Sequence, residues 1–371
     1  MSTDHSMIGT RIKLARKKAG YSLRDLAEAI GGKVSAQAIG EYERGEMTPS
    51  SDILIALGKA LGVTLAYLMN SQGIELTSID FRIKASTNAK DRSRVETEVI
   101  EWLERYLQIE QILELDGTNW KQPVEQLEAI HSIEESEDLA NRVRNHWQLG
   151  FDPIPNMTEL LEEKGLKVLI VDLPEAVSSF TCLVKRPAGL CDLPVIVVNK
   201  KCSLERRRIT LAHELFHQLI DPQYLSAKDE EKAANRFAGA FLMPRYHLEK
   251  EVGKHRHSLG YQELISLKRI YRVSGAALLV RLRDIGVIDS SVLTYMFQSV
   301  ARNWCTQEPE ELEPENKRGE YEQPRRFERL CYRALAEDLI SLAKASELLR
   351  TSLEKVEIGL KGPQLSDANS R

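Results

Sequence analysis

One five-residue segment, His213-Glu214-Leu215-Phe216-His217, constrains the fold of this 371-residue chain more than any other. Residues four positions apart lie on the same face of an α-helix, so both imidazoles can reach one metal ion. Flanking apolar residues recur at helical spacing, and Pro222 follows as a stop. The segment therefore predicts a buried helix that presents His213 and His217 to a metal, with Glu214 placed to take a proton from a metal-bound water.

A zinc centre of the catalytic type has three protein ligands and keeps a fourth position for water. We expect the third ligand from the next predicted helix, which begins near Asp229 and combines carboxylates with small residues. Glu231 is the preferred candidate, and Glu230 is the alternative. Asn235 shares a helical face with Glu231, so it is expected to orient a ligand histidine from behind.

Three segments accompany the motif: Arg-Ile-Thr-Leu-Ala-His-Glu-Leu-Phe-His, then Glu-x-x-Ala-Asn-Arg-Phe-Ala, then Leu-Met-Pro. Together they resemble the ImmA/IrrE family of metallopeptidases, and the resemblance covers about residues 130 to 290. It implies an HExxH zincin-like domain in which His213, His217 and Glu231 bind Zn²⁺. It also implies Glu214 as the general base. Members of this family typically cleave, or otherwise inactivate, a helix-turn-helix repressor in phage, mobile-element, toxin-antitoxin or stress circuits.

The first seventy residues predict five short helices. Ser22 is expected to cap the second, with Asp25 at the capping-box position, and Ser35 to cap the third. The segments Leu-Ala-Glu-Ala-Ile, Ser-x-Gln-x-Ile and Tyr-Glu-Arg-Gly-Glu resemble the XRE (Cro/C1-type) repressor family. This resemblance implies a helix-turn-helix domain over residues 1–72 that binds a double-stranded DNA operator.

The same resemblance places the third predicted helix in the major groove of DNA. Its early residues Ser35, Ala36 and Gln37 would face base edges, and Glu41 would do so one turn later. A glutamine pairs with adenine, and a glutamate accepts a hydrogen bond from cytosine. Phosphate contacts, which position a protein without specifying sequence, are expected from basic residues: Arg11, Arg16, Lys17, Lys33 and Arg44.

The charge of this N-terminal segment leaves an alternative open. Residues 1–70 contain 9 Lys and Arg against 7 Asp and Glu, which gives a difference of +2. That excess is small for a DNA-binding domain. A helical protein-interaction module that has lost DNA binding is therefore the alternative reading.

A helical connector is expected over residues 73–138. Within it, residues 96–115 carry apolar side chains at helical spacing and charges on the other face. The apolar face predicts either a dimer seam or the packed face of a bundle helix. Because half-site recognition by a single helix-turn-helix usually needs a dimer, we expect a homodimer.

The peptidase-like domain is expected over residues 139–300, with an α+β fold. In zinc peptidases of this class an edge strand commonly holds the substrate in an extended form. The resemblance makes residues 196–199 the candidate for that strand. Three strands are predicted from their apolar, β-branched composition: residues 167–171, 180–184 and 195–198.

Two further hypotheses concern side chains around the expected metal. Tyr224, Tyr246 and His247 are open alternatives for the group that stabilises an oxyanion. Cys182 and Cys191 are expected in or near the loop over the metal, where a thiolate would occupy the water position until oxidised. Small buried cysteines are the alternative.

The C-terminal part is expected to be helical. The acidic segment 308–315 predicts a solvated linker or an edge loop. A small helical C-terminal element is expected over residues 320–361, ending in a hairpin that serves packing or interaction. The residues from Gly362 onward are expected to be disordered.

Composition limits the class of protein. A chain of this length predicts several domains, here mainly α with a small mixed β-sheet. The net charge of -4 argues against a generally basic nucleic-acid binder. The N-terminus lacks the apolar core of a signal peptide, no apolar run reaches the length of a membrane span, and the 5 cysteines form no C-x-x-C pair. These features predict a cytoplasmic protein with reduced thiols.

These observations support two hypotheses about function. The first is a DNA-binding transcriptional regulator that carries a zinc-dependent endopeptidase and cleaves a repressor, an antitoxin or itself, with turnover that can depend on a signal or partner. The second is a non-enzymatic antitoxin or repressor whose peptidase fold serves as a sensor or partner-binding module. The intact Glu214 favours the first hypothesis.

Overall fold

The computed structural model describes residues 2–69, 75–77, 89–115, 120, 122–124, 127–175, 177–185, 192–304 and 306–362. Within these ranges the chain is mainly α-helical and contains one small mixed sheet of four strands. The predicted fold class is therefore confirmed. No helix in the described ranges is both long and apolar enough to cross a membrane.

Five helices form the N-terminal unit: α1 (Ser2–Ala19), α2 (Leu23–Ala29), α3 (Ala36–Glu43), α4 (Ser51–Leu61) and α5 (Leu65–Met69). Ser22 and Asp25 form the predicted capping box at the start of α2, and the Ser35 hydroxyl caps α3. Helix α1 crosses α3 closely at Gly9, since a Cβ there would collide with the carbonyl oxygen of Tyr42. Local capping and one close contact thus fix the arrangement of these helices.

A short strand, β1 (Glu75–Thr77), and a long helix, α6 (Ala89–Ile112), follow the N-terminal unit. The apolar face of α6 is buried within the chain. Val99 packs against the sheet, Ile100 against the N-terminal helices and Tyr106 against the C-terminal helices. Of the two predicted roles for this face, the structure supports the packed bundle helix rather than the dimer seam.

The sheet is completed by β2 (Lys167–Val171), β3 (Ser179–Lys185) and β4 (Leu193–Asn199), in the order β1-β3-β4-β2. Strand β4 pairs parallel with β2 and antiparallel with β3, so both of its edges are hydrogen-bonded. The prediction that residues 196–199 form a substrate-binding edge strand is therefore wrong. An added strand needs unpaired backbone groups, and β2 and β3 already bond those of β4.

The sheet lies between α6 on one face and the helices of the central domain on the other. Alternate residues of β4 point in opposite directions: Ile196 and Val198 join the cluster of the central helices, whereas Val195 and Val197 join the cluster that contains α6. The central helices are α7 (Glu135–His146), α8 (Met157–Glu163), α9 (Leu204–His217), α10 (Ala227–Leu242), α11 (Arg245–Val252), α12 (Tyr261–Tyr271), α13 (Gly275–Asp284) and α14 (Ser290–Gln298).

The acidic segment 308–315 is fastened to the central domain. Glu313 is fully buried and accepts two hydrogen bonds from Arg207 of α9, at 2.6 and 3.1 Å. Lys268 of α12 donates to Glu205 at 2.5 Å and to the carbonyl oxygen of Glu310 at 2.8 Å. The prediction of a solvated linker is therefore wrong, because buried cations of α9 and α12 bind this segment.

Three helices end the described chain: α15 (Arg326–Ala336), α16 (Leu342–Leu349) and α17 (Leu353–Lys361). Phe327 and Leu330 of α15 pack with Tyr106 and Ile109 of α6. The predicted C-terminal element is thus a packing unit on the connector helix. Most of the tail that the sequence predicts to be disordered, residues 363–371, lies outside the described residues.

Candidate metal centre and nucleic-acid interface

Helix α9 carries the H-E-x-x-H segment at its C-terminal end. The Ser203 hydroxyl caps its first turn, and Leu215 and Phe216 anchor it in the core without exposure. The side chains of His213 and His217 lie on the other side of the helix and are 16% and 10% exposed. The sequence pattern therefore buries one face and presents both imidazoles to a partly open cleft.

Helix α10 brings Glu231 to the same point. Nε2 of His213 lies 3.2 Å from Nε2 of His217 and 3.4 Å from Oε2 of Glu231. One potential ligand atom from each of the three residues falls within 4.8 Å of the others. Ala234 and Ala238, about one and two turns beyond Glu231, are fully buried, and their small side chains let α10 approach α9.

Each histidine has a second contact behind its ring. Nδ1 of His213 lies 3.2 Å from Oδ1 of Asn235, whose amide orientation is fixed because its Nδ2 donates to the carbonyl oxygen of Glu231 at 2.9 Å. Oε1 of Glu230 makes an electrostatic contact of 2.9 Å with Nδ1 of His217. An amide oxygen only accepts, so the Asn235 contact favours a proton on Nδ1 of His213, and the negative charge of Glu230 favours a proton on Nδ1 of His217 although this pair lacks hydrogen-bond alignment. Glu230, the alternative ligand, therefore lies behind His217.

This tautomer makes Nε2 of both rings an electron-pair donor. The two nitrogens and the Glu231 carboxylate converge on one point, and a set of two imidazoles and one carboxylate is the donor set of an open zinc site. The residues thus fit a zinc ion held by His213, His217 and Glu231. Such an ion would supply Lewis acidity and lower the pKa of a bound water.

Glu214 is held by a residue that the sequence analysis missed. The Ser179 hydroxyl, at the start of β3, donates to Oε1 of Glu214 at 2.6 Å. The alternation of β3 was the available signal: Phe180 and Cys182 face α6, so Ser179 faces α9. This hydrogen bond helps to orient the Glu214 carboxylate, which can accept a proton and return it.

Cys182 does not face the metal centre. It is 2% exposed, packs in the cluster between the sheet and α6, and burial raises the pKa of its thiol to about 12. The hypothesis of a metal-blocking thiolate is therefore wrong for Cys182, and the buried-cysteine alternative holds. Cys191 lies outside the described residues.

The three candidates for the oxyanion-stabilising group differ in their contacts. Nδ1 of His247 lies 2.6 Å from a buried tyrosine hydroxyl. The Tyr246 ring packs on Phe151 with centroids 5.0 Å apart. Tyr224 follows α9 in a short 3-10 turn, packs edge-on against His131 and is 45% exposed. Tyr224 is the one of the three that follows the metal-binding helix directly, and all three residues stay predictions for this role.

Two of the four residues expected to read bases, at and near the start of α3, are exposed. Ser35 and Gln37 are exposed, whereas Ala36 and Glu41 are half-buried. Nε2 of Gln37 donates to Oε1 of Glu41 at 3.0 Å. The amide of Gln37, the most exposed of the helical positions expected to read bases, is therefore oriented by Glu41 one turn later.

Two of the basic residues expected at phosphates are engaged inside the protein. Arg11 is 5% exposed, donates to the carbonyl oxygen of Tyr67 at 3.0 Å and pairs with Glu104 of α6. Arg16 makes a bidentate pair with Glu43 at 2.5 and 2.9 Å. The phosphate prediction is therefore wrong for Arg11, whose guanidinium is buried and neutralised, and Arg16 is committed to an intramolecular pair.

The other three basic residues are exposed: Lys17, Lys33 and Arg44. Arg44 pairs with Glu46 at 2.7 Å, and both side chains are more than half exposed. Exposed pairs of this kind are weak, so the Glu46 contact does not commit Arg44 to the protein interior. The phosphate contacts of these three residues stay predictions.

Comparison with known protein families matches two segments of the chain to family models. Residues 12–68 match the helix-turn-helix family model, and residues 161–283 match the IrrE N-terminal-like domain model. The chain thus combines an XRE-type helix-turn-helix domain with a domain of the IrrE/ImmA peptidase family. Both matches lie inside the predicted domains 1–72 and 139–300, whose boundaries stay predictions.

Individual relatives are helix-turn-helix regulators. The transcriptional regulator DicA of Escherichia coli is 33% identical over 69 residues, which are 19% of this chain and 50% of DicA. The regulator ImmR of Bacillus subtilis is 31% identical over 67 residues, which are 18% of this chain and 51% of ImmR. The chain spans only 28% to 56% of the length of the curated relatives it matches.

One solved structure aligns over most of the chain, that of Bacillus thuringiensis PlcR in complex with the peptide PapR7 and DNA. The alignment covers 96% of this chain and 100% of PlcR, at 13% identity and a TM-score of 0.18. A TM-score this low carries no argument about fold or function.

Proposed function

We propose that this protein is a DNA-binding transcriptional regulator that is also a zinc-dependent endopeptidase. In this proposal it cleaves a repressor or antitoxin-type protein, or itself, in the cytoplasm. The observation that carries the proposal is the convergence of His213, His217 and Glu231 beside the oriented carboxylate of Glu214. The match of residues 161–283 to a peptidase family supports it.

The chain's own residues have distinct roles in this proposal. Glu214 removes a proton from the attacking water and later delivers it to the leaving amine. Ser179 holds that carboxylate in place through its 2.6 Å hydrogen bond. Asn235 and Glu230 keep the imidazoles in the tautomer that directs Nε2 toward the cleft. Zinc, when bound, supplies the acidity that makes water a nucleophile at neutral pH.

The test compares zinc content and peptide-bond cleavage in wild-type protein and in Glu214→Gln. The variant should keep one zinc, because Glu214 is outside the proposed ligand set, and it should lose cleavage of a co-expressed helix-turn-helix repressor. Glu249→Gln, on α11, is the matched control and should behave like wild type. Equal cleavage by wild type and Glu214→Gln would exclude the enzymatic reading and favour a non-enzymatic sensor or partner-binding module.

We also propose that α3 reads a double-stranded operator and that two copies of the chain act as a homodimer. The helix-turn-helix match, the exposed surface around Gln37 and the regulators among the relatives support this. Gln37→Ala should weaken operator binding with little change in its salt dependence. Lys17→Ala should lower the salt slope by about 0.9 and affect all sequences alike. Failure of the wild-type protein to bind operator DNA would favour the protein-interaction alternative, and operator binding that neither variant changes would exclude the proposed roles of Gln37 and Lys17.

A further inference from the structure

A groove of about 660 Å³ runs beside the N-terminal half of α9. Ile209 lines it and lies one helical turn, about 6 Å along the axis, before His213 on the same face of α9, so this part of the groove is one turn from a proposed metal ligand. Ala276 and Trp304 form an apolar wall. Gly275 allows this wall to close, since a Cβ there would meet the Trp304 indole at 2.7 Å.

Arg206 differs from the two arginines that follow it. Arg207 and Arg208 are buried and paired with Glu313 and Glu322, at 2.6 and 2.5 Å. Arg206 is exposed, lines the groove and donates to the neutral Ser178 hydroxyl at 2.9 Å. Among the described residues no carboxylate forms an ion pair with its guanidinium. It is therefore a cation held in a fixed position by a neutral group, which suits recognition of an anion.

Three carboxylates line the same groove, and two of them, Glu308 and Glu311, have partners within the protein, whereas the third, Glu175, is exposed. Oε1 of Glu308 accepts from the backbone N–H of Gly275 at 2.8 Å. Glu311 pairs with Arg318 at 2.6 Å. The groove therefore offers Arg206 to a ligand, while these two acidic groups are bonded to the protein itself.

Two neighbouring serines join Arg206 to the proposed base. Ser178 accepts from Arg206, and the adjacent Ser179 donates to Glu214. Along α9, Arg206 precedes His213 by seven residues, which corresponds to two turns and roughly 10 Å. An extended peptide advances about 3.3 Å per residue. A peptide lying along the groove would therefore bring its third residue from the reacting bond to Arg206.

We propose that Arg206 binds a carboxylate of the substrate peptide about three residues from the bond to be cleaved, with an apolar side chain between them on Ile209 and Trp304. The proposal rests on the proposed function and names its substrate class: a peptide that is acidic at one defined position. The carboxylate comes either from an Asp or Glu side chain or from the C-terminus of the peptide. Arg206 is then a specificity-determining residue.

The test measures binding rather than turnover. Full-length, zinc-loaded Glu214→Gln protein is titrated with fluorescein-labelled decapeptide pools in which one position is fixed as Glu, Gln or Lys and the C-terminus is amidated. One fixed position should bind about tenfold better with Glu than with Gln, the strength of a charge-assisted hydrogen bond. Introducing Arg206→Gln into the Glu214→Gln protein should remove this preference for Glu. Introducing Arg206→Glu instead should make the pool with Lys at that position bind best. The control Arg245→Gln, on α11, should leave it unchanged.

A second set of pools with a free C-terminus separates the two sources of carboxylate. A preference for free over amidated peptides that needs Arg206 assigns the site to the terminal carboxylate. The proposal is overturned if the Glu and Gln pools bind equally and free and amidated C-termini also bind equally. It is overturned as well if no pool binds at all. If binding depends on Arg206 but protein with intact Glu214 cuts no peptide, the carboxylate site stands and the peptidase function fails.

Discussion

At the scale of single residues, two adjacent glutamates divide the work at the metal centre. Neighbouring positions on a helix differ by about 100° in direction, so Glu231 and Glu230 cannot approach the histidines in the same way. Glu231 is 44% exposed and faces Nε2 of His213, whereas Glu230 is 10% exposed and contacts Nδ1 of His217. The first is therefore placed as a ligand and the second as a support for the ring.

This division predicts different effects on zinc affinity. Glu230→Gln should weaken zinc binding about 10- to 100-fold, the usual effect of removing a group that orients a ligand. Glu231→Gln should weaken it more, because a ligand charge is lost. Chelator competition followed by metal analysis measures both, with Glu249→Gln as the control. A larger loss in Glu230→Gln than in Glu231→Gln would reverse the two assignments.

At the scale of elements, the sequence predicted the helix caps and strands whose formation depends on residues close together in the chain. The caps at Ser22 and Ser35 and the strand at 195–198 are local patterns, and the structure has them. The order of the strands is not local, because β4 lies between β3 and β2 in the sheet although both of them precede it in the chain. The burial of Glu313 also escaped prediction, since its partner Arg207 is 106 positions away.

The buried pair of Arg207 and Glu313 should be important for stability. Arg207→Met leaves the carboxylate buried without its partner and should lower the free energy of unfolding by about 3–5 kcal/mol. The exposed pair of Arg269 and Glu310 is the matched control, and Arg269→Gln should cost less than about 1 kcal/mol. Urea denaturation compares them, and equal stabilities for the two variants would contradict the structural role of the buried pair.

At the scale of the whole molecule, α6 connects the parts of the chain. Its side chains belong to three separate apolar clusters, shared with the N-terminal helices, the sheet and the C-terminal helices. Glu104 pairs with Arg11 of α1, and Glu101 pairs with both Lys18 of α1 and Arg350 after α16. Among the described residues, α6 therefore carries apolar contacts and ion pairs that attach the helix-turn-helix unit to the rest of the protein.

This arrangement predicts how the molecule unfolds. Wild-type protein should show one calorimetric transition, because unfolding of any part exposes an apolar face of α6. Combining Ile100→Ala with Glu104→Gln weakens only the contact with the N-terminal helices, so these should melt separately and earlier, while the main transition keeps its temperature. Leu353→Ala, at a site 49% exposed, is the control and should leave a single transition. Two transitions in wild-type protein would show that α6 does not couple the helix-turn-helix unit to the metal-binding domain, and any effect of cleavage on DNA binding would then need another route.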